Sequence, residues 1–222
     1  MTRFFDILFS GIAIIILLPF MIPIVIGLKL TGEHDIFYKQ ERIGKGGGKP
    51  FGVLKFATML RNSPNMAGGV LTQKDDPRIL PMGKFLRKTK INELPQLVNI
   101  FIGQMSVIGP RPQAKRHYDL YSADVKAAID TVAPGLSGLG SVAFRDEEDM
   151  LNAVSDRDHF HDTVIAPYKG ALEVWFVQHR SVPVYFKLIW LTVLAVLKPS
   201  SRAWRNAFTD LPPVPAELAQ YI

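Results

Sequence analysis

The chain has 222 residues, 48% of them hydrophobic, with a formal net charge of +6 and no cysteine. This length gives one domain, or a domain with an appendage, and excludes a chain too short to bury a core. The lack of cysteine excludes disulfides and thiolate metal sites, and the positive balance asks for an acidic partner: nucleic acid, anionic lipid or a phosphorylated substrate.

The apolar excess is concentrated in the chain. Ile7–Leu28 carries no charge and is about as long as a bilayer crossing requires. It is too long for a signal peptide and lacks a small-residue cleavage site. Pro19 and Pro23 interrupt its middle, and each removes a backbone donor. Arg3 precedes the run while Lys29, Lys39 and Arg42 follow it, a distribution that keeps both ends cytoplasmic. A helix that enters, breaks and returns satisfies both observations; a kinked span is the alternative. Asp6 is expected at the membrane interface.

Gly32–Pro50 is turn-rich and contains a lysine-flanked glycine run, Lys45–Lys49. Such a run cradles phosphate in some proteins, but it lacks the full phosphate-loop pattern. A hairpin loop fits better, because Ile36–Arg42 and Phe51–Phe56 flank it with strand-forming residues. Lys55 closes the second strand. Arg61–Asp76 follows as a polar loop able to border a site.

The stretch Asp75–Pro112 gathers Arg78, Lys84, Arg87, Lys88, Lys90 and Arg111 around one carboxylate, Glu93. Pro77, Gly83, Gly109, Pro110 and Pro112 mark its turns. Ile91, Leu94, Leu97, Val98 and Phe101 recur at helical spacing, which predicts Glu93 on an amphipathic helix. The pattern suggests a phosphate site; a solvated basic helix is the plain alternative.

Beyond it, Lys115–Thr131 reads as a charged amphipathic helix and Pro134–Gly140 as a turn. The acids of Asp146–Asp149 either bind Mg²⁺ or begin a water-facing helix. Ile165–Arg180 reads as a helix, and His117, His159, His161 and His179 lack a zinc-binding spacing. Val182–Leu197 is apolar apart from Lys187; it is either an interfacial helix or a core helix. Lys198, Arg202 and Arg205 follow it and suit anionic lipid. The tail from Leu211 begins irregularly.

Taken in order, QERIG (Gln40–Gly44), KFATM (Lys55–Met59), DPR (Asp76–Arg78), GKFLRKT (Gly83–Thr89), ELPQL (Glu93–Leu97), MSVIGPRP (Met105–Pro112) and PGLSGL (Pro134–Leu139) resemble the bacterial sugar transferase family, the monotopic polyprenyl-phosphate phosphoglycosyl transferases. The resemblance covers nearly the whole chain. It implies a mostly α fold with a small β-hairpin. Residues 1–30 would form a re-entrant membrane helix broken at Pro19, residues 31–200 a catalytic domain with interfacial amphipathic helices, and residues 201–222 a tail. The implied site is the cytoplasmic face of the bacterial inner (plasma) membrane. The implied reaction moves a sugar 1-phosphate from a UDP-sugar to polyprenyl (undecaprenyl) phosphate, with Mg²⁺, releasing UMP. The partners are those two substrates and membrane lipid. A nucleic-acid module is disfavoured, since the basic stretch lacks interleaved aromatics. No residue pattern names the sugar or an oligomeric state.

The family's catalytic pair is Asp-Glu, the Asp attacking the diphosphate. Here the Asp position is Asn92, and an amide is a poor nucleophile. Three accounts compete: an engineered, disabled chain; a natural subgroup in which Glu93 or the polyprenyl phosphate itself attacks; and a binding protein that does not turn over. Ala57 and Gln104 also depart from the family pattern, which favours the natural and catalytic account. By chemistry, Arg87 and Arg111 suit bidentate phosphate contacts, with Lys55, Lys88 and Arg78 as further phosphate-binding candidates. Glu93 is the candidate acid, base or nucleophile. Asn92 and Asp76 are the metal-ligand candidates.

Overall fold

The computed structural model describes residues 2–66 and 76–222. The elements run α1 (Thr2–Leu30), β1 (Phe37–Ile43), β2 (Pro50–Phe56), α2 (Pro81–Lys88), α3 (Gln96–Phe101), β3 (Ser106–Ile108), α4 (Lys115–Asp119), α5 (Ala123–Ile129), β4 (Gly135–Ser137), α6 (Leu139–Ala143), α7 (Glu147–Asn152), α8 (Arg157–Phe160), α9 (Ala166–Gln178) and α10 (Val182–Leu197). Helix dominates, as expected, and β1 pairs with β2 across the glycine run. Gly46, Gly47 and Gly48 all take positive φ there, which glycine adopts at no steric cost. The middle of the polar loop expected over Arg61–Asp76 lies outside the described residues. Its start is held where the Arg61 guanidinium donates to both oxygens of Asp35 at 2.8–2.9 Å.

The residues fold into two compact units. One comprises the chain up to Asp6, Glu41–Phe51 and Ile102–Ile222; the other comprises Ile7–Gln40 and Gly52–Phe101.

In the second unit, Leu28 of α1, Phe56 of β2 and Leu86 of α2 form a core, joined by Met21, Ile24 and Val25 on successive turns of α1. The outward face of α1 leaves Ile12, Ile15, Ile16, Leu18, Phe20 and Ile22 uncovered. Among the described residues α1 is the one helix long and apolar enough to cross a membrane. It does not stop at Pro19 as expected, but runs on through Pro19 and Pro23. Proline's φ is compatible with a helix; what is lost is the N–H that would return to Ile15 or to Pro19 four residues earlier.

Helix α2 is set by backbone contact. The Leu80 N–H donates to the Thr58 carbonyl at 3.0 Å and Leu60 N–H to the Arg78 carbonyl at 2.9 Å, so the segments around Met59 and Ile79 form an antiparallel bridge. Pro81 then opens α2 at a position where no intrahelical donor is needed. The basic residues Lys84 and Lys88 face outward while Leu86 is fully buried. At Lys90 the backbone turns left-handed, with φ of 60°. A single 3₁₀ turn, Ile91–Glu93, precedes α3. The continuous amphipathic helix expected through Glu93 is therefore two short pieces, since the missing donor at Pro95 divides it. The face also differs from expectation. Asn92, Gln96, Asn99 and Ile100 are buried, whereas Val98 and Phe101 are exposed.

The first unit is built on α9, whose Tyr168, Leu172, Trp175 and Phe176 are buried against α5 and α6. Strand β3 pairs in parallel with β4, Ser106 opposite Gly135 and Ile108 opposite Ser137. The PGLSGL segment, expected to be only a turn, is thus a strand and the start of α6. Its glycines make this possible: a Cβ on Gly135 would lie 2.1 Å from the Gly109 nitrogen, and one on Gly138 2.1 Å from the Gly109 oxygen. The helix expected over Lys115–Thr131 is interrupted, because the Ser122 hydroxyl caps a new helix at the Val125 N–H. Helix α10 keeps its expected bounds, and one of its faces is core. Tyr185, Leu188, Leu191 and Ala195 are buried, while Trp190 is 61% exposed.

Asp6, expected at the membrane interface for want of a partner, is buried in the protein and has partners. It is 3% exposed, and its Oδ1 accepts from the Ser106 hydroxyl (3.0 Å), the Val107 N–H (2.9 Å) and the Tyr185 hydroxyl (2.8 Å). A buried carboxylate is tolerated because it is hydrogen-bonded.

The backbone seating of α2 is the contact most sensitive to added volume. A Cβ on Gly83 would sit 2.2 Å from the Thr58 oxygen. Gly83→Ala is expected to cost about 1–3 kcal/mol through overpacking against rigid backbone, read as a lowered midpoint in thermal unfolding.

Candidate active site

In the second unit the expected catalytic residues come together at the join of β2 and the Ile91–Glu93 turn. Lys55, near the end of β2, donates from Nζ to Glu93 Oε1 at 3.2 Å. Both side chains are partly buried, at 19% and 28% exposure, so the pair is reachable from solvent. The turn is fixed by Asn99 of α3, whose amide reads the edge of β2. Its Oδ1 accepts from the Leu54 N–H at 2.8 Å, and its Nδ2 donates to the Gly52 carbonyl at 2.9 Å. Asn99 is a positioning residue that the sequence reading missed. The available signal was a polar side chain in the middle of an otherwise apolar run.

Asn92 is 7% exposed, and its Oδ1 is buried without a hydrogen-bond partner among the described residues. Buried acceptors are nearly always satisfied, so an orphaned one asks for a donor or a cation. An amide carbonyl is a hard oxygen of the kind Mg²⁺ accepts, and Mg²⁺ is commonly held by one or two carboxylates together with substrate phosphates. Glu93 and Asn92 fit that pattern.

Asp76 does not. Its two carboxylate oxygens accept from Arg78, Nε to Oδ1 at 2.8 Å and Nη2 to Oδ2 at 2.6 Å, and both residues are buried. Arg78 also donates from Nη1 to the Ser63 carbonyl at 2.8 Å. The pair expected to supply a metal ligand and a phosphate contact instead ties the loop entering α2 to the Ser63 segment. Among the described residues no three His, Asp or Glu side chains converge on a metal-sized site.

Arg87 is partly buried on the last turn of α2, its Nη1 3.5 Å from the Met59 sulfur. Lys88 is exposed beside it. Two cations on one short helix, with Lys55 at the strand, give this unit a positive surface suited to phosphate oxygens.

Arg111 belongs to the first unit. Its side chain is exposed, and its backbone N–H lies 3.4 Å from Oε1 of Glu173. The preceding Pro110 carbonyl accepts from the Gly135 N–H at 2.7 Å, so the turn carrying Arg111 is anchored on β4. Glu173 is fully buried in α9, and its Oε2 has no hydrogen-bond partner among the described residues. Burial pushes its carboxyl up to about 7, against the opposing pull of the Arg111 N–H and of Lys169. Gly140 leaves it room, since a Cβ there would lie 2.6 Å from Oε1. Nearby, Lys169 bonds Glu147 at 2.6 Å. Glu147 is thereby turned inward, while Asp146, Glu148 and Asp149 of the acidic run face water.

A carboxyl whose folded pKa is raised is protonated in the folded chain over a range where the unfolded chain has already ionised. Stability then falls as pH rises from the unfolded value towards the folded one. On this basis the folded state loses up to about 1.4 kcal/mol per pH unit between about pH 5 and 7. Glu173→Gln is expected to flatten that slope, which thermal unfolding across the range will show.

The description "Bacterial sugar transferase" matches residues 1–199. A UDP-glucose:undecaprenyl-phosphate glucose-1-phosphate transferase of Klebsiella pneumoniae is 32% identical over 86% of this chain and 39% of its own length. Its Escherichia coli counterpart is 31% identical over 85% of the chain and 38% of its own length. The exopolysaccharide production protein ExoY of Sinorhizobium fredii is 33% identical over 71% of the chain and 75% of its own length. The chain thus spans about two fifths of the first two relatives.

Proposed function

The chain belongs to the bacterial sugar transferase family, and we propose that it moves a sugar 1-phosphate from a UDP-sugar to polyprenyl (undecaprenyl) phosphate, releasing UMP, as the first membrane step of glycan assembly. The observation that carries this reading is the Lys55–Glu93 pair at 3.2 Å beside the orphaned Asn92 oxygen. It puts one carboxylate oriented by a lysine inside the segment the family match covers.

In the reaction the bond between the sugar-bearing phosphorus and the bridging oxygen to the uridine phosphate breaks. That oxygen leaves on UMP. Two routes are open to Glu93. As nucleophile, its carboxylate bonds the phosphorus, and an oxygen of polyprenyl phosphate then displaces it. As general base, it orients and deprotonates the polyprenyl phosphate for direct attack. Lys55 holds the carboxylate in either case, and Arg87 and Lys88 bind phosphate oxygens. Mg²⁺, when bound by Glu93, Asn92 and the diphosphate, supplies the charge that stabilises the leaving phosphate.

The reading of the chain as monotopic, on the cytoplasmic face of the plasma membrane, is supported by α1. Its first turn is tied through Asp6 to β3 and α10, and its last turns pack through Leu28 on Phe56 and Leu86. The exposed apolar faces of α1 and α10 are the surfaces that lipid would cover.

A second reading, a disarmed binding protein, is favoured by Asn92 alone. UMP release is to be measured from a panel that begins with UDP-glucose and UDP-N-acetylgalactosamine, with undecaprenyl phosphate and Mg²⁺. The chain is expected to release UMP, and Glu93→Gln to lose about 10²–10⁴-fold. Silence from the chain with activity in Asn92→Asp would establish the second reading. Silence from all variants with every sugar would overturn the transferase assignment. Label retained on protein when polyprenyl phosphate is omitted, and lost in Glu93→Gln, selects the nucleophile route.

A further inference from the structure

We infer that the first unit carries a binding site for the phosphate headgroup of an anionic membrane lipid, in the cavity at the start of α10 lined by Arg3, Lys45 and Arg180. The cavity measures about 520 Å³, a size typical of small-molecule sites, and none of the catalytic candidates lines it. The inference rests on the membrane reading above and concerns a different set of residues.

The charge of the walls points to an anion. Three cations line the cavity against one carboxylate, Asp6, which leaves an excess of two positive charges even when Asp6 is counted fully against them. Oδ1 of Asp6 is committed to Ser106, Val107 and Tyr185. Lys45 comes from the glycine run, whose Gly46 N–H is bonded to the Asp130 carbonyl at 3.0 Å, so the loop is held down and its lysine reaches the cavity. The first turn of α10 opens on the same space through Ser181, Val182 and Tyr185.

The surroundings distinguish a lipid from a free phosphate. Tyr185 of the cavity wall is followed on α10 by exposed Phe186, Trp190 and Val193. The Phe5 ring packs on Phe186 at 4.9 Å, and Phe4 beside it is 65% exposed. A cationic cavity that opens beside an uncovered aromatic and aliphatic strip matches a molecule with a phosphate head and apolar chains.

The full chain is to be floated with vesicles of phosphatidylcholine, alone or with phosphatidylglycerol, and its retained lipid read by native mass spectrometry. Retention of phosphatidylglycerol over phosphatidylcholine is expected. Lys45→Gln/Arg180→Gln should weaken it about 10–30-fold, while the equal charge change Lys49→Gln/Arg157→Gln should leave it unaltered. An unchanged thermal midpoint in neutral vesicles will show that both pairs fold. Equal weakening by the two pairs would overturn the site in favour of diffuse charge. Displacement by millimolar glycerol 3-phosphate would overturn the lipid source. Flotation without phosphatidylglycerol preference sinks the cavity alone, whereas failure to float with any vesicle sinks the membrane reading and this inference with it.

Discussion

The second unit depends on how closely the backbone of α2 can approach the segment after β2. Gly83 lies against the Thr58 carbonyl at a distance that admits no side chain, and the same carbonyl accepts from Leu80. Everything downstream inherits that placement. Leu86 reaches Phe56 and Leu28, Arg87 comes against Met59, and the chain must then reverse at Lys90 to lay Asn92 and Glu93 beside Lys55. The buried Asp76–Arg78 pair belongs to the same arrangement, fixing the loop that leads into α2. The proposed site is assembled here from backbone packing first and charge second, in keeping with the demand for positioning in phosphoryl transfer.

The first unit solves a parallel problem with glycine. Gly109, Gly135 and Gly138 allow β3 and β4 to touch, and the turn that presents Arg111 leaves directly from that contact. Below it, Glu173 is buried with one oxygen unsatisfied, an expensive group to retain for packing alone. Both units thus hold an arginine proposed to bind phosphate on a segment whose geometry comes from close backbone approach.

Much of this was legible in the residues. The hairpin, the bounds of α10, the apolar run of α1 and the charge cluster around Glu93 follow from local composition and periodicity. The ordered motifs pointed to the family that the match over residues 1–199 establishes. What escaped was non-local or cooperative. Nothing within PGLSGL announces a parallel partner at Ser106–Ile108. The helix through Glu93 is divided at Pro95, and it is entered through a left-handed lysine that no propensity favours. Asp6 was placed at an interface because its three donors are far away in the chain. The pairing of Asp76 with Arg78 was masked by their nearness in sequence, which let each be read as a free ligand.

The hydrogen bonds of Asp6 also bear on the order in which the chain is made. Its partner Ser106 lies 100 residues later and Tyr185 179 residues later. At a ribosomal rate of about 5–20 residues per second, Asp6 waits roughly 9–36 seconds for Tyr185. Until then its carboxylate must stay hydrated, and the first turn of α1 cannot take its final seat. The remainder of α1 finds its partners Phe56 and Leu86 much sooner. The two ends of one helix are therefore secured at opposite ends of synthesis, and the nascent chain must shelter an apolar segment throughout the interval.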